Sequence, residues 1–223
     1  RIPQKNFCRK DSNARTAVLF LSNFTEEHFD RDWYQTGGFD STDGLSDDEK
    51  YKLVKFIWCH FIDNAPYRIE KGDYDNGNSQ RVATDVINRE LNRLTGLTLS
   101  DADMTYDRTP EGQAIPDSAE AHGGYLYLKQ EYGQGNYNPP CAIVTGATDL
   151  GDNIYELTYE VYSAGGMLLP SDIPEGTYGL PKNQFIAAIQ ADASMGRTET
   201  CTVRVAQGDG APIFTLLKMG VYD

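Results

Sequence analysis

The segment Thr200–Met219, TCTVRVAQGDGAPIFTLLKM, alternates apolar and polar side chains on both sides of Gly208–Asp209–Gly210. A period of two puts successive side chains on opposite faces of an extended chain, so each half reads as a half-buried strand. Glycines flanking an aspartate supply the backbone freedom of a tight turn, and the segment is therefore expected to be a β-hairpin. Working towards the N-terminus, the same texture recurs at Ile154–Tyr162 (IYELTYEVYS at 154–163), Cys141–Thr148 and Tyr125–Glu131. Asp149–Leu150–Gly151–Asp152 is the expected turn between two of these strands. Residues 163–197 form a loop-rich insertion with Gly165–Gly166, three prolines and a short helix at Asn183–Ala191.

Upstream of Gly96 the periodicity changes from two to nearly four. Ser46 and Glu49 have capping-box spacing, and Asp47 and Asp48 sit at the positive end of the helix that follows. Leu53, Val54, Ile57, Trp58, Phe61 and Ile62 give that helix one apolar face, and Pro66 ends it. A further helix is expected from about Ser79 to Leu94 with Gly96 as its cap, and an earlier one over Ser12–Phe24. Asp101–Gly123 reads as a long polar connection. Helices followed by antiparallel strands make the chain α+β: three N-terminal helices packed on a curved antiparallel sheet of four to five strands. Residues 1–15, RIPQKNFCRKDSNAR, read as a leader remnant or linker, and 16–223 as a single domain.

The strand segments 154–163 and 200–219 are similar to the closing hairpin of the nuclear transport factor 2-like and cystatin-like folds, in which a curved antiparallel sheet wraps against helices. FLSNFTEEHF at 20–29 resembles a segment of uncharacterised exported, lipoprotein-type proteins of Gram-positive gut bacteria. These resemblances imply a fold and a compartment and leave the activity open, because such folds host enzymes, binding modules and scaffolds alike.

Composition narrows the partners. The 20 basic residues face 33 acidic ones, a net charge of −13, which repels nucleic acid and anionic membranes at long range. No apolar run approaches the length of a membrane span, so no membrane insertion of this segment is expected. The acidic balance, the richness in Asn, Gly, Tyr and Asp, and the even cysteine count suit an extracellular or cell-surface protein.

Four cysteines, Cys8, Cys59, Cys141 and Cys201, allow three complete pairings. In a simple meander a strand lies between those of Cys141 and Cys201, separating them by about 9.6 Å, beyond the roughly 7 Å a disulfide spans. Cys59 shares the polar side of its helix with Phe56, which implies that something covers that side. Phe7–Cys8 is the candidate cover, so Cys8–Cys59 is the favoured bridge, with Cys141 and Cys201 buried and free; four reduced thiols is the alternative.

No HExxH, GxSxG or glycine-rich phosphate loop is present, and no CxxC or Cys/His cluster has zinc spacing. No metal, cofactor or catalytic residue is therefore assigned. Cys59 and His60 are helix neighbours about 100° apart and do not face each other. Asp101, Asp103 and Asp107 are the acids placed to gather an ion, with solvated loop acids as the simpler reading. Aromatic residues give the candidate ligand-binding set: Trp33 and Tyr34 in a polar loop, and Tyr125 and Tyr127 on one face of a strand. The expected function is a non-catalytic module that binds a protein or a glycan. The alternative is a pocket-containing small-ligand binder or enzyme of the nuclear transport factor 2-like type.

Overall fold

A computed structural model describes residues 16–17, 20–21, 38–58, 70–71, 79–109, 111–112, 117–130, 140–163, 165, 174–177 and 180–219. In chain order the first elements are β1 (Phe39–Asp40), α1 (Asp47–Ile57), β2 (Glu70–Lys71), β3 (Gln80–Ala83) and α2 (Thr84–Thr95). Next come α3 (Asp101–Met104), β4 (Tyr106–Asp107), β5 (Asp117–His122) and β6 (Tyr125–Gln130). The last are β7 (Pro140–Gly151), β8 (Ile154–Ser163), α4 (Lys182–Ala188), β9 (Arg197–Gln207) and β10 (Pro212–Met219). The chain is α+β, as expected, but its strands form two antiparallel sheets of five, ordered β1-β10-β9-β8-β7 and β2-β3-β6-β5-β4. They belong to two compact units, one of Arg1–Thr42 with Asn136–Asp223 and the other of Asp43–Gly135.

In the first unit the expected meander is present. Tyr155, Leu157, Tyr159 and Val161 alternate with less buried residues along β8. Tyr155 and Leu157 lie opposite Val203 and Cys201 of β9. Phe214 and Leu216 of β10 extend the same face, where Phe20, from a helical turn, stacks on Phe214 at 5.5 Å. The other face carries a smaller cluster in which Cys141 and Tyr162 pack with Phe185, Ile186 and Ile189 of the insertion's helix. The β7–β8 turn falls at Asp152–Asn153, both with positive φ, one step beyond the four residues that mark it in the sequence. That is the type I′ geometry whose twist matches paired strands, and Asp and Asn are among the few side chains that tolerate it. Leu150 is consumed in a bulge between Asp149 and Gly151.

The second unit holds the departures from expectation. Ser79–Ala83 is not the start of a helix: Gln80–Ala83 is a strand, with Val82 opposite Leu126, and the helix begins at Thr84. Val82 and Val86 are spaced as if on one helix face, so periodicity across the junction conceals it. The polar stretch Asp101–Gly123 contains a capped helical turn and two strands. Its strand β5, DSAEAH, hides because alanines are its only inward apolar groups. The strand beginning at Tyr125 belongs to this sheet rather than to the meander. The two-residue Gly123–Gly124 turn, with positive φ at both, commits it to β5. The reading of three helices preceding a single sheet is thereby corrected, since strands precede both α1 and α2.

α1 follows the sequence as far as it is described, with Phe61, Ile62 and Pro66 outside the described residues. Ser46 and Glu49 form the reciprocal capping box, and Leu53, Val54, Ile57 and Trp58 are buried. α2 buries Ile87, Leu91 and Leu94 and ends at Gly96 in the left-handed region. α1 packs against α2 and α3, and α3 against β5. Among the described residues no helix is long and apolar enough to cross a membrane.

Candidate functional site

Register divides the side chains of the second sheet into two faces. Leu126 and Leu128 lie opposite Ala121 and Ala119 on β5, and Leu128 lies opposite Gln80 on β3. Asp117, on this same face, receives hydrogen bonds from Tyr51 Oη (2.6 Å) and Lys55 Nζ (3.0 Å) of α1, so this is the face the helix meets. The opposite face carries Tyr125, Tyr127 and Lys129 from β6. With them are Ser118, Glu120 and His122 from β5, Arg81 from β3 and Asp107 from β4.

At the β4 edge of that opposite face lies a groove of about 470 Å³. Tyr106, Asp107, Ser118, Glu120, Tyr127 and Lys129 form most of its wall, with Thr105 and Ala119 completing it. Tyr127 is buried, whereas Asp107, Glu120 and Lys129 are exposed. Thr105 is fixed by two hydrogen bonds: its hydroxyl donates to the Asp101 carbonyl and accepts from the Ala121 N–H, each at 3.0 Å. The Thr109 N–H donates to Asp107 Oδ1 at 3.1 Å, while the Thr109 hydroxyl accepts from the Asp117 N–H at 2.9 Å. A two-residue edge strand is thus held in place chiefly by the side chains around it.

Behind this edge stands a compact polar network. The Tyr51 and Tyr106 rings meet edge to face at 4.6 Å, and the Arg108 guanidinium lies 5.0 Å from the centre of the Tyr51 ring. Arg108 also pairs with Asp48 at 3.2 Å. Lys50 bridges to Asp103 at 2.8 Å, and Lys55 to Asp117 at 3.0 Å. Burial and the hydrogen bond to Asp117 raise the Tyr51 hydroxyl above its ordinary pKa. Burial pulls the Lys55 ammonium down, but hydrogen bonds to Tyr51 and Asp117 outweigh it and the net shift is upward. A helix Tyr and Lys four residues apart resemble a proton-transfer couple. Here both shifts hold the protons in place at neutral pH, so the pair acts as a clasp.

Of the four aromatic candidates, Tyr125 and Tyr127 share the open face, as the alternation requires, and Tyr127 lines the groove. Their rings are not coplanar. They meet at 60° with centroids 6.5 Å apart, and Arg81 lies over Tyr125 at 4.4 Å. Trp33 and Tyr34 lie outside the described residues, as do Cys8, Cys59, His28, His60 and the 1–15 segment. Phe56 is buried, and the expected cover, Phe7–Cys8, lies outside the described residues. Cys141 and Cys201 are buried free thiols with β8 between their strands, in keeping with the spacing argument. Burial pushes the Cys141 thiol up to about 12 and Cys201 higher still, so neither is a thiolate nucleophile at neutral pH.

Asp101, Asp103 and Asp107 are not gathered into a cation site. Asp103 instead caps α3, accepting from the Ser100 N–H and hydroxyl while Lys50 takes its other oxygen. Tyr106, Ser118, Glu120 and Lys129 were not legible as site residues. The available signal was the alternation in DSAEAH, which sets Ser118, Glu120 and His122 on one face.

The architecture defines an α+β protein with two antiparallel sheets, one bearing a polar groove at its edge. Comparison with family models, with curated proteins and with solved structures finds no match.

Proposed function

We propose that this protein is a non-catalytic recognition module, exported to the cell surface or beyond, that holds a glycan in the groove between β4, β5 and β6. One observation carries the reading: Tyr127 lines a groove in which the open face adds the carboxylates of Asp107 and Glu120, the Ser118 hydroxyl and the Lys129 ammonium. Sugars present apolar C–H faces and a fringe of hydroxyls, and a wall of this composition matches both. A protein partner calls for a contiguous apolar patch. The large apolar side chains exposed among the described residues, Leu150, Leu180, Met195 and Ile213, belong to the first unit, and none lines the groove. The export reading is supported by composition, and the likeness to nuclear transport factor 2-like or cystatin-like folds by the β8–β10 segments alone. Trp33 and Tyr34 remain proposed contacts.

The test is a thermal-shift screen of soluble oligosaccharides followed by calorimetric titration, using the wild type, Ser118→Trp and Lys129→Ala. Ser118→Trp fills the groove, and Lys129→Ala removes its ammonium. Each is expected to weaken binding at least about tenfold while leaving Tm within a few degrees. A glycan bound equally well by the Ser118→Trp variant, or silence across the panel at millimolar concentration, would overturn the assignment.

A further inference from the structure

We infer that Tyr51, through its ring, is the positioning residue that holds the β4 wall of the groove in place from the opposite side of the sheet, an inference that rests on the recognition reading above. Side chains alternate between faces along a strand, and Asp107 stands on the groove face opposite Ser118. Its two neighbours turn the other way. Tyr106, opposite Ala119, meets the Tyr51 ring edge to face at 4.6 Å, and the Arg108 guanidinium lies 5.0 Å from the centre of the same ring. A single ring of α1 is thus the shared seat of the residues on either side of Asp107.

Strand pairing holds β4 weakly by comparison with its neighbour: it shares two residue pairs with β5, against six between β5 and β6. Three hydrogen bonds tie its flanks to β5. The Arg108 N–H donates to the Asp117 carbonyl (2.8 Å), the Asp117 N–H to the Thr109 hydroxyl (2.9 Å) and the Ala121 N–H to the Thr105 hydroxyl (3.0 Å). So short an edge opens readily, because few bonds break together. The Tyr51 ring adds a hold from α1, which its capping box and its buried Leu53, Val54 and Ile57 keep in place, and Asp48 of the same helix pairs with Arg108 at 3.2 Å. Edge-to-face and cation–ring contacts belong to the ring, while the Tyr51 hydroxyl donates to Asp117. Without the ring the wall opens more often, and a ligand then finds a complete groove in a smaller fraction of chains.

The full chain carrying Tyr51→Phe, Tyr51→Leu or Arg108→Gln separates ring from hydroxyl. Hydrogen exchange is followed at the Arg108, Asp117 and Ala121 amides with Leu126 of β6 as internal reference, and soluble hexasaccharides of glucose, mannose and xylose are titrated calorimetrically. Tyr51→Leu should raise exchange at the three amides at least about tenfold relative to Leu126 and raise Kd roughly three- to tenfold. Tyr51→Phe, which keeps the ring, should stay within about twofold of wild type in both readouts. Arg108→Gln should move both in the direction of Tyr51→Leu by a smaller factor, and it supplies the comparison if Tyr51→Leu does not fold. Unchanged exchange in Tyr51→Leu, or equal losses in Tyr51→Phe and Tyr51→Leu, overturns the assignment to the ring. Faster exchange with Kd unchanged overturns the positioning role and leaves the recognition reading standing. If no hexasaccharide binds the wild type, the recognition reading fails, and the exchange comparison alone decides whether the ring holds β4.

Discussion

Asp103 shows how a single side chain is shared between two structural tasks. One oxygen closes the capping box of α3 through Ser100, and the other pairs with Lys50 of α1 at 2.8 Å. The hydrogen bond from Lys50, then those from Ser100, hold its carboxyl down to about 2. A depressed carboxylate contributes fully above its unfolded pKa of about 3.9, and that contribution is lost as pH falls through the folded value. The stability gap between wild type and Asp103→Ala should therefore be about 1 kcal/mol above pH ~4.5 and close towards pH ~2. Urea unfolding across that range measures it. A gap that persists undiminished at pH ~2 would mean that neither the cap nor the ion pair is the source. Tyr51 works in the same manner without titrating, donating to Asp117 while accepting from Lys55, so that one phenol ties α1 to β5.

At the scale of elements, the β7–β8 hairpin depends on two residues in a region that most side chains avoid. Asp152 and Asn153 have φ of 50° and 60°, and the Asn153 carbonyl also accepts from the Val205 N–H of β9. Asn153→Ala should cost about 1 kcal/mol in denaturant unfolding, and Asn153→Gly should stay within about 0.5 kcal/mol of wild type, because only the backbone preference changes. Equal losses in both would point to the Asn side chain instead. α1 was legible because its signals are local: the Ser46–Glu49 spacing, three acids in the first turn and an apolar stripe. The meander was legible because alternating valines, tyrosines and leucines cannot serve a helix. By contrast, β5 buries alanines beside charged neighbours, and β3 runs into α2 without a side-chain cap at Ala83, so neither announces a boundary. Tyr127 could be named from its own strand. The Tyr51–Asp117 bond joins residues 66 apart, and no local pattern encodes a pairing of that kind.

Across the whole molecule, protection should follow the topology of the two sheets. β8 is paired on both sides along most of its length and β9 over Cys201–Arg204, while β1 and β4 are two-residue strands at sheet edges. Native-state hydrogen exchange should find the slowest amides in β8 and β9 and much faster exchange at Phe39, Asp40, Tyr106 and Asp107. Fast exchange throughout β8 and β9 would contradict the pairing described. The acid-rich surface adds a second large-scale trait. With 33 acidic and 20 basic residues, self-repulsion is screened by salt, and moderate salt favours the folded state.

The pairing of Phe39 with Met219 and of Asp40 with Lys218 also imposes a timetable. A ribosome delivers β10 about 170 residues after β1, and at 5–20 residues per second the interval is roughly ten to forty seconds. For about the second half of that wait the 43–135 stretch has all its described strands to hand, while β1 still lacks β10. The clock of the first sheet is thus set by β10: until Pro212–Met219 emerges, Phe39 and Asp40 lack the strand they pair with.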